Sequence, residues 1–494
     1  MDGRPESGDE EMQPGHSEDR IAPDAVLVVD LDGSLLRSDL LVESFWSACG
    51  RDLRSLGGAF AALRRGRAAL KRQLAEAARI EVESLPYDPS VVAFVERWRA
   101  AGGRTALVTA SDRELAGRIA DHLGLFDEVH GSDGRRNLKG EAKAAFLAAR
   151  FGAEGYVYLA DAVEDLPAWR AARKAVTVNA PGALRRQVER LGVEAEHLSS
   201  GKRSLPAYLA ALRPYQWVKN LLVFLPLVAA QAFDGPSLAA CLLAFLAFGL
   251  VASAVYVVND LLDLAADRRH PRKRGRPFAA GRIPIADGFW MAGGLLLAGL
   301  ALATALGGRF LLVMLAYGLA TTAYSLYLKR RTIIDICVLA GLYTLRMVAG
   351  GVAAGIPLSV WLLAFSVFLF LSLAAVKRQA ELVDSAKRGL LTAHGRGYHI
   401  DDLPLISQMA LAAGYLSVLV LALYLTSPVV AGLYALPEAL WGICLVQLYW
   451  ISRNVMLAHR GRMHDDPIVF AAKDGVSRLC LVLVLLFLAA GVWL

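Results

Sequence analysis

From about residue 205 onward the chain consists of apolar runs of roughly 20 residues separated by short polar stretches, the length a bilayer core demands of a helix. Before that point, short apolar runs alternate with amphipathic stretches, an α/β pattern. The later half predicts spans at about 215–235, 238–258, 287–306, 310–328, 333–353, 358–377, 405–426, 430–451 and 478–494. The fold expected is thus an all-α membrane domain of nine transmembrane helices over 201–494. It follows a Rossmann-like α/β domain with a small helical cap over 23–200 and a polar tail over 1–22, expected to be disordered. The first 20 residues lack an apolar core, so no signal peptide is expected.

Charge sharpens the topology. Lys and Arg gather in four loops, 259–286, 329–332, 377–404 and 452–477, and Arg309 is the visible exception on the other side. By the positive-inside rule the N-terminus and these loops are cytoplasmic, and nine spans carry Leu494 to the far side. The expected setting is a bacterial cytoplasmic membrane. The net charge of +7 is explained by orientation and phosphate binding, so no nucleic-acid partner is expected. Cys49, Cys241, Cys337, Cys444 and Cys480 form no CxxC pair or zinc spacing and read as packing residues of a reducing compartment.

Candidate chemistry concentrates at NDLLDLAAD, 259–267, which ends the second span. On a continuous helix Asn259, Asp263 and Asp267 lie at i, i+4 and i+8 and present one stripe of hard oxygens suited to Mg²⁺. Asp260 points about a quarter turn away. Carboxylates beside an apolar span are costly unless used. The following RRHPRKRGRPFAAGRIP, 268–284, offers Arg272, Lys273 and Arg276 as a clamp for pyrophosphate. AYSLYLKRRTIIDI, 323–336, brings Tyr324, Ser325, Lys329, Arg330 and Asp335 to the same level, although Lys329 to Arg331 also serve as a topology signal. Arg346 lies inside an apolar run and needs a polar cavity and a partner. Lys219, Asn220, Lys377 and Arg378 are candidates for that cavity.

Nine spans, NDxxDxxxD after the second and YSxxLKR after the fourth resemble the UbiA superfamily of intramembrane prenyltransferases, over roughly 205–494. That resemblance implies Mg²⁺ and a diphosphate substrate. One departure stands out: aromatic prenyltransferases carry a second acidic DxxxD, whereas here Asp335 is followed four residues later by Leu339. LRPYQWVKN (212–220), HPRKRGRP (270–277) and DPIVFAAKD (466–474) look like the decaprenyl-phosphate phosphoribosyltransferase branch. This implies phosphoribosyl pyrophosphate as donor and a polyprenyl phosphate as acceptor. The competing readings are an aromatic prenyltransferase with a regulatory soluble domain, and an ion carrier. The missing acidic pair disfavours the first. Ligands at the membrane edge, not its middle, disfavour the second.

In the soluble half, strands are expected at 25–30, 105–110, 156–160 and 175–179, with polar residues at their C-terminal ends, where open α/β sheets place their sites. DLDGS at 30–34 is followed by Thr109, by Lys139 and Lys143, and by Asp161 and Asp165. This order resembles the haloacid dehalogenase superfamily over about 25–185. The resemblance implies Asp30 as nucleophile, Asp32 as general acid/base, and Thr109 and Lys143 holding the phosphoryl group, with Lys139 second choice. It also implies Mg²⁺ on Asp30, Asp161 and Asp165. Ser34 and Ala160 are small departures that remove no reacting group. The arginine-rich stretch 40–85 has a helical period and predicts the cap, and 186–212 reads as a helix and linker. Nothing in the sequence decides oligomeric state, and a homo-oligomer is compatible with it.

Overall fold

The computed structural model describes residues 24–493 apart from 53–56, 59–60, 62–63, 65, 134–136, 200, 202–203, 393–395, 429–431 and 464–465. The tail 1–22 and Leu494 lie outside the described residues. The chain divides into two compact units. The first holds residues to Arg203 together with 265–275 and 279–285, and the second holds the rest.

The first unit is a six-stranded parallel sheet in the order β3-β2-β1-β4-β5-β6. The strands are β1 Val26–Val29, β2 Thr105–Asp112, β3 Glu128–Ser132, β4 Tyr156–Ala160, β5 Lys174–Val178 and β6 Glu194–Leu198. Successive side chains of β1 face opposite clusters: Leu27 and Val29 pack in one, Val26 and Val28 in the other. Both faces are therefore buried, and the central strands read as unbroken apolar runs. β3 and β6 were not foreseen. They are the two edges, their side chains are mostly only partly buried, and EVHGS and EAEHL carry too few apolar residues to signal a strand. In the cap region, Leu40–Arg51 and Arg67–Ala77 are helices that share a small cluster around Ala48 and Leu74. Part of 40–85 lies outside the described residues.

The second unit is helical. Among the described residues, seven helices are long and apolar enough to cross a membrane: Gly235–Leu262, Ile285–Ala305, Gly308–Leu326, Ile334–Ala354, Val360–Lys387, Ile400–Leu425 and Gly475–Trp493. Two expected spans take another form. In place of a helix over 215–235 there is a 3₁₀ segment, Pro214–Phe224, followed by the short helix Leu225–Ala229. Pro226, which lacks an N–H to donate, sits where the two meet. In place of 430–451, the helix runs Trp441–His459 and carries Gln447, Arg453 and Asn454 among its apolar residues. The 3₁₀ segment packs unusually closely on Ile334–Ala354: a Cβ on Gly350 would lie 1.9 Å from the Val223 carbonyl oxygen. Only glycine permits that approach.

Candidate functional sites

In the first unit, β1 delivers Asp30 to the C-terminal edge of the sheet, and its backbone N–H donates to Leu159 O at 2.9 Å. Lys143 Nζ donates to Asp30 Oδ1 at 2.8 Å, to the Tyr158 hydroxyl at 2.9 Å and to Asp165 Oδ1 at 3.3 Å. Lys139 instead pairs with Glu164 at 3.1 Å in an exposed position, so Lys143 is the ammonium at the centre. Tyr158 was not foreseen. Its tyrosine character is invisible in an apolar strand pattern, yet its hydroxyl also donates to Asp165 at 2.8 Å.

Asp32 accepts from Leu40 N at 2.8 Å and from Ser111 Oγ at 2.5 Å, which fixes its orientation. Thr109 is fully buried, and its hydroxyl oxygen accepts from Ser111 N at 2.9 Å. Gly33 has φ +78°, a left-handed conformation, and a Cβ there would come within 2.3 Å of Asp161 Oδ2. Ser34 Oγ donates to Asp161 Oδ1 at 3.2 Å.

The electrostatics are those of crowded carboxylates. Burial, then the charges of neighbouring acids, raises Asp30 to about 6 despite Lys143, and raises Asp161 to about 8. Burial, with Asp39 and Asp30 adding to it, raises Asp32 to about 7. Asp30, Asp161 and Asp165 each offer an oxygen within 4.8 Å of the others. Hard carboxylate oxygens that repel one another at this spacing fit a divalent cation, which would relieve the repulsion.

In the second unit, the Gly235–Leu262 helix ends at Asp263, whose φ of −99° and ψ of 12° close it, and a separate short helix, Leu264–Arg269, follows. The expected continuous stripe is therefore broken. Asn259 and Asp263 remain together, while Asp267, Arg272 and Lys273 group with the first unit, Asp267 buried and the two basic residues exposed. The break follows from using Asp263 as the cap, where its N–H still reaches Asn259 O at 3.0 Å.

The two sequence motifs of this unit meet. Asn259 Nδ2 donates to Ser325 Oγ at 3.0 Å, and Lys329 Nζ stands 3.9 Å from Asp263 Oδ2. Asp260 is buried and pairs with Arg213 and, at 3.2 Å, with Arg276, so Arg276 is committed to a protein carboxylate. Arg330 is exposed.

Asp335 is fully buried. Arg378 Nε lies 2.8 Å from its Oδ2, and the Tyr398 hydroxyl donates to Oδ1 at 2.5 Å. Arg378 also pairs with Glu381, and it reaches the Tyr324 hydroxyl at 3.3 Å, where Arg396 donates at 2.8 Å. Asp335 and Arg378, expected to bind substrate, are thus largely spent on each other. Glu381 was missed although its i, i+3 spacing from Arg378 on one helix was a signal, and Arg396 because the sequence gives no sign of pairing across a loop.

Deeper in the unit, Arg346 Nε donates to Asn220 Oδ1 at 3.0 Å and Nη2 to the Tyr317 hydroxyl at 2.9 Å. Its guanidinium lies 4.9 Å from the Tyr317 ring centroid, a cation–π contact. Gly350 lies one turn further along the same helix face, so the close backbone approach there is what brings Asn220 within reach. Lys219 and Lys377 converge on Asp466, at 2.8 and 3.0 Å. Asp466 was quoted within a motif but not foreseen as a site residue.

Comparison with known proteins fits this division. Residues 220–473 match the UbiA prenyltransferase family, and 27–170 match haloacid dehalogenase-like hydrolases. An uncharacterised protein, y4nM of Sinorhizobium fredii, is 40% identical over 91% of this chain and 88% of its own length. The nodulation protein NoeC of Azorhizobium caulinodans is 39% identical over 56% of this chain and 90% of its own. The decaprenyl-phosphate phosphoribosyltransferase of Mycolicibacterium smegmatis is 41% identical over 38% of this chain and 61% of its own. The chain belongs to the UbiA prenyltransferase family of membrane transferases and carries a haloacid dehalogenase-like hydrolase domain at its N-terminus.

Proposed function

We propose that the membrane domain transfers 5-phosphoribose from phosphoribosyl pyrophosphate to a polyprenyl phosphate such as decaprenyl phosphate, and that the soluble domain then removes the 5-phosphate. The observation that carries the first half is the balance of charge in the second unit. Lys219 and Lys377 converge inside it on one carboxylate, Asp466, and Arg346 lies near the same Tyr343 ring as Lys219. The acid nearest the place of a second metal motif, Asp335, is closed off by Arg378 and Tyr398. Surplus cations suit a donor with a 5-phosphate besides its pyrophosphate, and an acceptor with a phosphate of its own. The likeness to the mycobacterial transferase supports the same donor and acceptor.

In this reaction a phosphate oxygen of the lipid attacks C1 of the ribose. The C1–O bond to pyrophosphate breaks, and pyrophosphate leaves with the electron pair. Lys329 and the buried lysines offset the charge that develops on it. Asn259 and Asp263 are the residues that would hold Mg²⁺. The Asn259 amide nitrogen is engaged by Ser325, which leaves its carbonyl oxygen as the ligand atom. When bound, the ion neutralises the leaving pyrophosphate.

In the soluble domain Asp30 attacks the phosphorus of the 5-phosphate, and Asp32, already raised toward neutrality by burial, donates a proton to the departing ribose oxygen. Water then hydrolyses the aspartyl-phosphate, with Asp32 taking the proton. Mg²⁺ would be held by Asp30, Asp161 and Asp165. Covalent tethering gives an effective concentration of order millimolar, on the order that a weak site needs to capture a membrane-bound lipid.

The topology that goes with this reading has nine passes, two of them formed by 214–229 and by the Trp441–His459 helix, with the N-terminal domain cytoplasmic at a bacterial cytoplasmic membrane. The test is release of pyrophosphate from phosphoribosyl pyrophosphate by the purified chain, dependent on added polyprenyl phosphate and on Mg²⁺. No release over controls rejects the reading.

A further inference from the structure

Four separate elements meet at the Asp466 carboxylate. Lys219 comes from the 3₁₀ segment, Lys377 from the Val360–Lys387 helix, and Tyr343 from the Ile334–Ala354 helix. Asp466 itself is the N-cap of the short helix Pro467–Lys473, and its Oδ1 accepts from Ile468 N at 3.3 Å. Both ammonium groups bond the same oxygen, Oδ2, at 2.8 and 3.0 Å. Their separation therefore cannot exceed the sum of those two distances. The Tyr343 hydroxyl bridges to both carboxylate oxygens, at 2.8 Å to Oδ2 and 3.0 Å to Oδ1. Lys219 Nζ also lies 5.8 Å from the Tyr343 ring centroid, and Arg346 lies 5.7 Å from it.

Two like charges this close inside a protein repel strongly and would splay apart without the anion between them. The carboxylate in turn is fixed by its cap bond and by Tyr343, neither of which involves a lysine. The geometry points to Asp466 as a positioning residue: it holds Lys219 and Lys377 as one preformed pocket for a phosphate group of the substrates. This deepens the reading above and rests on it for the identity of those substrates. The phosphate is chemically the same whether it belongs to the ribosyl donor or to the lipid acceptor, and kinetics separate the two sources.

A carboxylate that merely opposed the lysines would have the reverse effect, since neutralising it would strengthen anion binding. The contrast makes the test decisive. Inorganic pyrophosphate binding to the full chain in lipid nanodiscs, with a chelator present to remove Mg²⁺, is measured by calorimetry for the parent, Asp466→Asn and Asp466→Glu. Asn keeps a cap acceptor and a partner for Tyr343 while losing the charge. The expected result is binding roughly 10-fold weaker in Asp466→Asn, measured below a melting temperature that itself falls as the two lysines lose their counter-charge, and partial recovery in Asp466→Glu. Tyr343→Phe, which loosens the carboxylate but keeps every charge, is expected to weaken binding about 3-fold. It also serves as the probe if Asp466→Asn does not fold.

Equal or tighter pyrophosphate binding in Asp466→Asn overturns the proposal, as does unchanged binding in Tyr343→Phe where only that variant folds. In the transfer assay, Asp466→Asn raises KM for the substrate whose phosphate occupies the pocket, with kcat within about 3-fold of the parent. A rise for phosphoribosyl pyrophosphate assigns the donor, and a rise for polyprenyl phosphate assigns the acceptor. A fall in kcat with both KM values unchanged counts against a positioning role. Should the parent transfer nothing while pyrophosphate binding still depends on Asp466, the reaction assigned above fails and the pocket stands.

Discussion

Asn259 donates from its amide nitrogen to Ser325 Oγ at 3.0 Å, and this one bond ties the two motifs of the membrane domain to each other. It fixes which way the Asn259 amide faces, and with it where a carbonyl oxygen is offered to a cation. Four residues further along each motif, Asp263 and Lys329 stand 3.9 Å apart, the carboxylate proposed for the metal beside the ammonium proposed for the phosphate.

Asp263 is half-exposed and makes few commitments to the fold, so Asp263→Ala should lower transfer roughly 100-fold or more while leaving the melting temperature unchanged. Turnover and thermal unfolding measured on the same preparation check this. Parent-like turnover would remove Asp263 from the metal site.

Asp260 and Asp335 should behave oppositely to Asp263. Each is buried and paired with arginine, Asp335 with the buried Arg378 and Asp260 with the partly buried Arg213 and Arg276, so removing either leaves guanidinium groups short of their partner. Asp260→Ala and Asp335→Ala should each cost roughly 3 kcal/mol of stability. In whatever folded fraction remains, KM for either substrate should be close to the parent's. A large rise in KM with normal thermal stability would mark these acids as substrate ligands instead.

Gly33→Ala tests the phosphatase site without touching a reacting group. The added Cβ is disfavoured at φ +78° and would press on the Asp161 carboxylate. Hydrolysis of a generic phosphate ester should fall at least about 10-fold, with weakened Mg²⁺ activation, while lipid transfer continues. Full phosphatase activity in this variant would show that Asp161 can move without consequence.

Gly350→Ala should be far more damaging than a surface glycine change. Its Cβ would sit 1.9 Å from Val223 O, so the 3₁₀ segment must back away, taking Asn220 from Arg346 and Lys219 from Asp466. Overpacking of this kind costs about 1–3 kcal/mol. Transfer and pyrophosphate binding should fall together, and Gly275→Ala, where a Cβ meets open space, is the control.

Much of the phosphatase site could be read from the sequence because Asp30 and Asp161 sit just after buried apolar strands, Thr109 late within one and Lys143 early in a helix, where order along the chain reports position in the sheet. The edge strands could not, because half-exposed strands need no apolar run. The membrane site was legible only where its residues fall within one motif. Asp466 meets Lys219 across 247 positions, and nothing in a linear pattern records that contact. Helical spacing also misled at Asp267. The i, i+8 argument assumes a helix that continues, and Asp263 ends it. The form of the expected first span was missed for a related reason, since apolar content alone does not exclude the 3₁₀ turns and prolines of 214–229.

The central claim concerns which bond the membrane domain makes, and the mass of the lipid product tests it most directly. The purified chain is supplied with Mg²⁺, decaprenyl phosphate and phosphoribosyl pyrophosphate, and in parallel with an allylic diphosphate and a hydroxybenzoate. The account predicts a decaprenyl-phosphate product carrying ribose without its 5-phosphate, the same product with the phosphate retained in Asp30→Asn, and no prenylated hydroxybenzoate. A prenylated aromatic product, with phosphoribosyl pyrophosphate left unconsumed, would contradict it.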